Sequence, residues 1–476
     1  MRIPYIQLTN VLILICLIII YLFLPYEYNR TICIISMLIC FYQSVITISR
    51  FKDSIVRPVL IFIIGFLITN CQCYIDLILN NITENYWAFI SSNTINKGAL
   101  LTAISLTAFS ISYFGCNVGK TKIYCVEEDK QSKGDLKIFA YLQLLAFMWW
   151  LVTLPQGFIT GQFYLSSGAH DADTTSYPIM LFKIAQFASL TSFIKSNPKI
   201  TNFIEYVRAI PKIVLVTSFL FMAILIMAGD RGGAIYTLVL YSFCYIFITK
   251  YKPRIIIIIP VILLSAFLMT SVKYGRQFGN EKTFTEKITY LYQNQEVLED
   301  VGASFSPYTA ELANSVSCTH VAINDIQNKG KSFHFGAFHI CYVLQTIPFL
   351  GSIIIDSLNI PTINRSSSLY ITTSFYGKDF TSGLGTSLIA DYYLEFGVLG
   401  ILLEFLILGY VFSKIDIYFN KYPSNIVPWW IIILILYFSA TSISIPRGYI
   451  FATVRTIVYL FLYYFIIRNI IVKNFK

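Results

Sequence analysis

Charged residues are scarce in this sequence. Only 13% of its 476 residues are Asp, Glu, Lys or Arg, whereas 56% are hydrophobic, and the mean hydropathy is +0.66. A soluble protein of this length has no use for so much apolar surface, so the composition excludes a soluble globular fold. The apolar residues come in long unbroken runs and not in alternation, which excludes a membrane β-barrel. The sequence therefore predicts an all-α polytopic membrane protein.

The motifs of several enzyme and metal-binding classes are also missing. The chain has no phosphate-cradling Walker loop, no Gly-x-Ser-x-Gly elbow and no Ser/His/Asp signature. Its four histidines lack metal-ligand spacing, which argues against a structural zinc site. Most of the ten cysteines lie inside apolar runs, where they indicate small core residues and not a disulfide framework. We therefore expect neither a cofactor nor a metal.

Apolar runs of about 20 residues are long enough to cross a membrane as helices. Twelve can be placed, near 6–24, 31–49, 58–79, 98–118, 136–154, 176–194, 212–228, 233–249, 255–272, 386–412, 428–444 and 449–467. If the N-terminus is cytoplasmic, the links on that side carry 21 Lys and Arg residues, and the short links on the other side carry four. This bias predicts that both termini are cytoplasmic, and it explains the net charge of +10 without nucleic acid.

The span pattern divides the chain into three parts. Residues 1–272 hold the first nine transmembrane helices, 273–385 form a large loop with short helices on the outer face, and 386–476 hold the last three transmembrane helices. A loop of this length among short ones is usually functional. We interpret its apolar part, 337–355, as a re-entrant or interfacial helix, because a thirteenth span would move the basic C-terminus outside.

A glycine-rich turn, 228–234, joins the seventh and eighth runs. Asp230 can cap the helix that follows, and Arg231 falls in the first turn of that helix, where a phosphate is favoured. Three further arginines are assigned to the same face of the membrane: Arg276, Arg365 and Arg447. The four guanidiniums predict a bidentate clamp for a diphosphate, with Asp230 orienting Arg231. The alternative for each arginine is headgroup anchoring or an ion pair.

Three ionisable residues within or beside the late spans are further candidates for substrate binding. Arg455 follows Arg447 by eight residues in the last span, where a charge usually faces protein or a water-filled cavity. Asp391 and Glu395 are four residues apart at the start of the tenth span, so they share one helix face. They could pair with the arginines or contact a sugar.

Proton abstraction from a substrate requires a base, and histidine titrates near neutral pH. The segment 273–385 holds three of the four histidines, His320, His334 and His339. We take His334 or His320 as the catalytic base. The alternative for each is an ordinary surface or buried histidine.

The segment from Gly383 to Gly397 follows the pattern Gly-x-Gly-x-Ser-x-x-Ala-Asp-x-Tyr-x-x-Phe-Gly. With the turn at 228–234 and the large loop late in the chain, it resembles the O-antigen polysaccharide polymerase (Wzy) family, although Asp391 stands where glutamate is commoner. The resemblance implies a GT-C-like fold similar to that of O-antigen ligases. It also implies a glycosyltransferase of the bacterial inner membrane whose active site faces the periplasm.

The chemistry implied by this resemblance transfers a growing glycan from undecaprenyl diphosphate to a repeat unit on the same carrier. An acceptor hydroxyl attacks the anomeric carbon, and undecaprenyl diphosphate leaves with its charge held by the arginines. The expected partners are the lipid-linked donor and acceptor, membrane lipid and a chain-length regulator protein. The alternatives are a lipid-linked oligosaccharide flippase or transporter, which would need two similar halves, and an O-antigen ligase.

Overall fold

A computed structural model describes most of the residues of the chain. They are 3–25, 27–50, 56–81, 91–116, 133–154, 172–196, 199–227, 231–253, 306, 309–347, 350–378, 380 and 383–472. All secondary structure within these ranges is helical.

The chain forms two compact units. Unit 1 comprises Met1–Thr121, Gly302–Ile417 and Ser442–Arg455, and unit 2 comprises Lys122–Val301, Tyr418–Thr441 and Thr456–Lys476. The α-helices up to residue 249 are α1 (Ile3–Leu22), α2 (Arg30–Ser49), α3 (Pro58–Asn70), α4 (Gln72–Ile78), α5 (Ser92–Gly115), α6 (Lys133–Val152), α7 (Ala172–Lys195), α8 (Phe203–Ala209), α9 (Lys212–Met227) and α10 (Arg231–Thr249).

The later α-helices include the longest one described. They are α11 (Ala310–Ala313), α12 (Val316–Ile323), α13 (Ala337–Gln345), α14 (Leu350–Ser357), α15 (Ser367–Tyr376), α16 (Leu388–Lys421), α17 (Trp429–Thr441) and α18 (Ile450–Ile466). A π-helix, Asn324–Asn328, continues α12, and another, Ile467–Val472, continues α18. Short 3₁₀ turns lie at Thr362–Asn364 and Ile445–Arg447.

The described helices agree with a polytopic membrane protein. Eight are long and apolar enough to cross a membrane, or ten if each of two bent pairs, α3 with α4 and α8 with α9, forms one span. Every predicted run except the ninth overlaps a helix, and the ninth, 255–272, lies outside the described residues. The helix α17 has only 13 residues, which is short for a membrane span. The number of twelve spans and the GT-C-like fold stay predictions.

The apolar part of the large loop forms two short helices. They are α13 and α14, and neither meets the length of a membrane span. Gly351 makes their close packing feasible, since a Cβ there would overlap the carbonyl group of Leu344. The described residues of 337–355 thus form a pair of short packed helices, the α13–α14 hairpin, and neither helix alone has the length of a span.

Aromatic rings and glycine contacts hold α16 in the core of unit 1. The ring of Phe62 on α3 lies 4.9 Å from that of Phe109 on α5 and 4.8 Å from that of Phe412 on α16. A Cβ at Gly409 would overlap the Phe109 carbonyl, so the α5 and α16 backbones touch there. This contact fixes α16, and with it the residues at its N-terminal end, against the neighbouring helices.

Buried charges lie near the other end of α16. Arg57 and Asp416 are both fully buried and form an ion pair at 3.7 Å. The Tyr113 hydroxyl donates to Asp416 Oδ2 at 2.7 Å, and Arg50 donates to the Ser413 hydroxyl at 2.7 Å. Hydrogen bonds of this kind compensate a buried ion pair for the loss of contact with water. The group therefore holds α2, α3, α5 and α16 together.

Unit 2 has its own core among α6, α7 and α9. Phe182 lies 4.4 Å from Phe221, and Trp150 lies 4.8 Å from Phe221, as measured between ring centroids. The side-chain amide of Gln143 donates to the hydroxyls of Thr217 and Ser218 at 2.9 and 3.0 Å. The side-chain NH2 group of Gln143 on α6 is therefore hydrogen-bonded within the helical bundle.

Candidate active site

A histidine and an aspartate face each other where α13 meets the first turn of α16. Asp391 is fully buried, and its Oδ2 lies 3.5 Å from Nε2 of His339, whose side chain is 12% exposed. Burial disfavours the charged imidazolium, but the interaction with the Asp391 carboxylate outweighs it, so the pKa of His339 is raised. The carboxylates of Glu395 and Glu404 act in the same direction.

Gly397 interrupts the helical geometry of α16. Its φ of 62° and ψ of −144° lie in a region that residues with a side chain adopt only with strain. Just before this break, the carbonyl oxygens of Leu394 and Glu395 accept the backbone N–H groups of His334 at 3.0 Å and Phe335 at 3.1 Å. The chain that leads into α13 is therefore fixed to α16.

The Glu395 carboxylate caps the N-terminus of α13. The N–H of Gly336 donates to Oε2, while those of Phe338 and His339 donate to Oε1 at 2.8 and 3.3 Å. The first N–H groups of a helix have no partner within the helix, and a carboxylate there also complements the helix dipole. Glu395 thus positions α13 with His339 opposite Asp391.

Tyr342, one turn after His339, joins the same group. Its hydroxyl accepts the N–H of Ser367 at 2.8 Å and donates to Asp391 Oδ1, which lies 3.3 Å away. The Ser367 hydroxyl in turn donates to Thr386 at 3.1 Å. These bonds tie α13, α15 and the start of α16 together around the buried Asp391 carboxylate.

Aromatic rings surround the His339–Asp391 pair. The His339 ring lies 4.7 Å from Tyr392 and 4.9 Å from Phe451, and Tyr449 stacks on Tyr342 at 4.2 Å with an interplanar angle of 10°. Such side chains offer flat apolar faces beside polar groups. A sugar ring, with C–H groups on its faces and hydroxyls around its rim, matches that combination.

Arg455 and Glu404 add buried charge to the cluster. Arg455 is half-buried on α18 near Tyr449, and its Nε is buried with no hydrogen-bond partner among the described residues. Glu404 is 3% exposed, and its carboxylate lies against the Tyr392 hydroxyl. Because charges in membrane helices are costly, Glu404 near His339 and Arg455 near Tyr449 indicate a polar site.

His334 lies close by, next to a second ionic group. Buried Asp325 pairs with Lys329 at 2.8 Å and with Lys331 at 2.7 Å, and it accepts the Ser374 hydroxyl at 2.5 Å. Burial alone would raise the pKa of Asp325, but these three hydrogen bonds lower it. Burial and the Lys331 charge lower the pKa of His334, whose Nε2 is buried without a hydrogen-bond partner in the described part of the chain.

His320 is placed differently from the other two histidines. It is fully buried on α12, with the Tyr74 hydroxyl 2.9 Å from Nε2 and the Thr94 hydroxyl 2.8 Å from Nδ1. Burial lowers the pKa of His320 to about 3. Both ring nitrogens are thus occupied by protein hydroxyls, and the structure does not bring His320 into the His339 cluster.

The predicted clamp is only partly within the described residues. Arg365 donates to the Ile360 carbonyl at 3.1 Å and pairs with Asp356 at 2.8 Å. Arg447 is exposed at the end of its 3₁₀ turn. Arg231 begins α10 in unit 2, and its side chain lies outside the description, as do Asp230 and Arg276.

Of the predicted site residues, the structure brings Asp391 and Glu395 together around His339 and places Arg455 near Tyr449. The sequence interpretation included His339 among the possible bases but did not select it. A signal was available, because Phe338, Cys341 and Tyr342 form a buried face of α13 while Ile340 and Val343 are exposed. That periodicity places His339 at the border of the buried face.

The comparisons with known proteins agree with the sequence pattern at 383–397. The family model described as O-antigen polysaccharide polymerase Wzy matches residues 5–476, nearly the whole chain. No curated protein and no solved structure matches the chain. A family match of this extent decides the assignment: the chain belongs to the O-antigen polysaccharide polymerase Wzy family.

Proposed function

We propose that this protein polymerises O-antigen repeat units carried on undecaprenyl diphosphate, at the periplasmic face of the bacterial inner membrane. Membership of the family implies polymerisation of O-antigen repeat units. To this activity we add, as parts of the proposal, the lipid carrier, the face of the membrane and the roles of individual residues. The observation that carries it is the His339–Asp391 pair within an aromatic-walled group of buried charges.

In the proposed reaction, an acceptor sugar hydroxyl attacks the anomeric carbon of the donor glycan. The bond between that carbon and the diphosphate oxygen breaks, and undecaprenyl diphosphate leaves with the electron pair. The hydroxyl proton passes to a base. Because the donor is already activated, the reaction needs a positioned base and stabilisation of the leaving charge.

His339 is the proposed base. With Nε2 directed at Asp391, Nδ1 is the nitrogen that takes the acceptor proton. Asp391 stabilises the imidazolium that forms, in the manner of a carboxylate behind a catalytic histidine. Glu395 positions both groups through the α13 N-terminus. His339 is preferred to His320 because the ring nitrogens of His320 are occupied by Tyr74 and Thr94.

The leaving diphosphate requires positive charge, and Arg455 is the proposed source within unit 1. Its Nε has no hydrogen-bond partner among the described residues, and the guanidinium lies near Tyr449 at the cluster. A guanidinium can hold two phosphate oxygens at once. The clamp of Arg231, Arg276, Arg447 and Arg365 stays a prediction from the sequence.

Purified protein in liposomes, supplied with undecaprenyl-diphosphate-linked repeat units, tests the proposal. We expect a ladder of products that differ by one repeat unit and release of undecaprenyl diphosphate. Supplying lipid A core as a competing acceptor distinguishes a ligase, which would give single transfers to the core. Movement of the substrate across the bilayer without covalent products would indicate a flippase and would overturn the proposal.

A further inference from the structure

An apolar stripe runs along the exposed side of the α13–α14 hairpin. It consists of large apolar side chains that are 42–62% exposed, namely Ile340, Val343, Ile347, Leu350 and Ile353. On α13 the spacing of three residues places Ile340 and Val343 on one face, away from buried Phe338 and Tyr342. The buried apolar side of such a helix packs against the protein. The exposed apolar side needs a further apolar environment, such as lipid chains or another protein.

The stripe continues an exposed apolar face of α16. Phe396, Leu399, Leu403 and Ile407 are 40–70% exposed at helical spacing, as expected for a face toward lipid. A Cβ at Gly336, just before α13, would lie 3.5 Å from the Phe396 ring. The two surfaces therefore meet at the start of α13.

The depth of the hairpin follows from the length of α16. The part of α16 that follows the break at Gly397, residues 398–421, is by itself about as long as the roughly 20 residues needed to cross the hydrocarbon layer. Near its far end, Lys414 lies between Ser413, which Arg50 contacts, and Asp416, which pairs with Arg57. Counting about 20 residues back from Lys414 reaches the vicinity of Glu395. The carboxylate that caps α13 thus lies near the boundary between hydrocarbon and headgroups.

From these observations we propose that the α13–α14 hairpin lies in the interfacial layer of the bilayer, with the apolar stripe against lipid chains. His339 lies between Tyr342 on the buried face and Val343 on the stripe, since successive residues turn by about 100° in an α-helix. Substrate carried on a polyprenyl chain reaches His339 from the lipid along this stripe. This second part rests on the proposed function, whereas the first part does not.

Photo-crosslinking tests the position of the hairpin without any assay of activity. The photoreactive residue p-benzoylphenylalanine is placed at Val343 or Ile353, with Ser352 as the control, because Ser352 is exposed on α14 but lies on another side. In nanodiscs of phosphatidylethanolamine and phosphatidylglycerol, we expect intact-mass adducts of one phospholipid at 343 and 353 and almost none at 352. Equal phospholipid yields at all three positions, or crosslinked protein dimers at 343 and 353, would overturn the proposal.

A charge on the stripe tests the route of the substrate. We expect Ile353→Lys to slow polymerisation of undecaprenyl-linked repeat units about tenfold, while activity with a water-soluble short-prenyl diphosphate donor and acceptor stays within about twofold of the unsubstituted protein. Equal losses with both substrates would contradict access along the stripe. Absence of any ladder from the unsubstituted protein would instead contradict the proposed function, so the two failures are distinguishable.

Discussion

At the scale of single residues, the proposal depends on the pairing of His339 with Asp391, which also raises the pKa of His339. The Asp391 charge stabilises the protonated ring and overcomes the effect of burial. A base with a raised pKa is a stronger proton acceptor, but it is neutral only at higher pH. The rate of polymerisation should therefore rise with pH through the pKa of His339.

Asp391→Asn separates the electrostatic role of Asp391 from a structural one. Loss of the negative charge lowers the pKa of His339, so the acid limb of the pH–rate profile should move to lower pH. The maximal rate should fall roughly hundredfold, because the imidazolium loses its partner. The measurement is the initial rate of ladder formation between pH 5 and 9. An unchanged acid limb would contradict the role, and Asp356→Asn, at an exposed ion pair, is the control.

His320 has the opposite environment and should affect stability instead of catalysis. Burial lowers its pKa to about 3, whereas an unfolded histidine titrates near 6.5. Between these values the unfolded chain binds one more proton, so stability is lost as pH falls from about 6.5, by up to ~1.4 kcal/mol per pH unit.

His320→Gln should remove this part of the pH dependence. Because glutamine does not titrate, the apparent melting temperature of the variant should fall less between pH 6.5 and 4 than that of the unsubstituted protein. Thermal unfolding in detergent at several pH values measures the difference, and the pH–rate profile should keep its acid limb. Identical slopes of melting temperature against pH would contradict the assignment of the low pKa to His320.

At the scale of elements, the break at Gly397 links α16 to α13. A Cβ at this glycine would lie 3.0 Å from the Phe333 ring, and its φ is +62°. Gly397→Ala should cost about 1–2 kcal/mol in backbone strain and shift the carbonyl groups that hold residues 334 and 335. Since that shift displaces His339, we expect at least a tenfold loss of polymerisation.

Gly377→Ala is the matched control for that substitution. Gly377 also has a positive φ, of 88°, but a Cβ added there would meet no described atom within 4 Å. The variant should lose a comparable amount of stability and keep its activity. Thermal unfolding and the ladder assay measure both effects. Equal losses of activity in the two variants would indicate general destabilisation and not displacement of His339.

The sequence alone predicts the helices better than the site. Apolar runs locate spans because length and hydropathy are local properties, and the run at 386–412 marks α16 although the helix continues to Lys421. The approach of His339 to Asp391 depends on the Gly397 break and on the Glu395 cap. The hydrogen bonds of the Glu395 cap join residues that are 56 to 59 positions apart in the sequence. The spacing of residues along the chain does not predict such a long-range contact.

The sequence also does not show which arginines are paired in the folded protein. Scarcity of charge makes each arginine conspicuous in the sequence, but it does not distinguish an ion pair from a substrate contact. Arg365 has a carboxylate partner in Asp356, whereas Arg455 has a buried Nε without a hydrogen-bond partner among the described residues. Only the three-dimensional arrangement separates these two cases.

At the scale of the whole molecule, orientation in the membrane decides which substrates reach the site. Within unit 1, α16 runs from the His339 cluster to the buried Arg57–Asp416 pair. The distribution of Lys and Arg predicts that the Arg57 end is cytoplasmic. On this prediction, the His339 cluster faces the periplasm.

Reporter fusions test this orientation. Alkaline phosphatase joined after Lys378 should be active, because the enzyme folds only in the oxidising periplasm. Green fluorescent protein joined after Lys476 should fluoresce in the cytoplasm. The reverse pattern would place His339 on the cytoplasmic side and contradict the proposed function.

The most direct test of the central claim compares two histidines that lie close together. In liposomes with undecaprenyl-diphosphate-linked repeat units, His339→Ala should slow ladder formation at least a hundredfold, in the range expected for loss of a general base. His334→Ala should retain a rate within about threefold of the unsubstituted protein. A full-length ladder formed by His339→Ala at the unsubstituted rate would show that His339 is not the base.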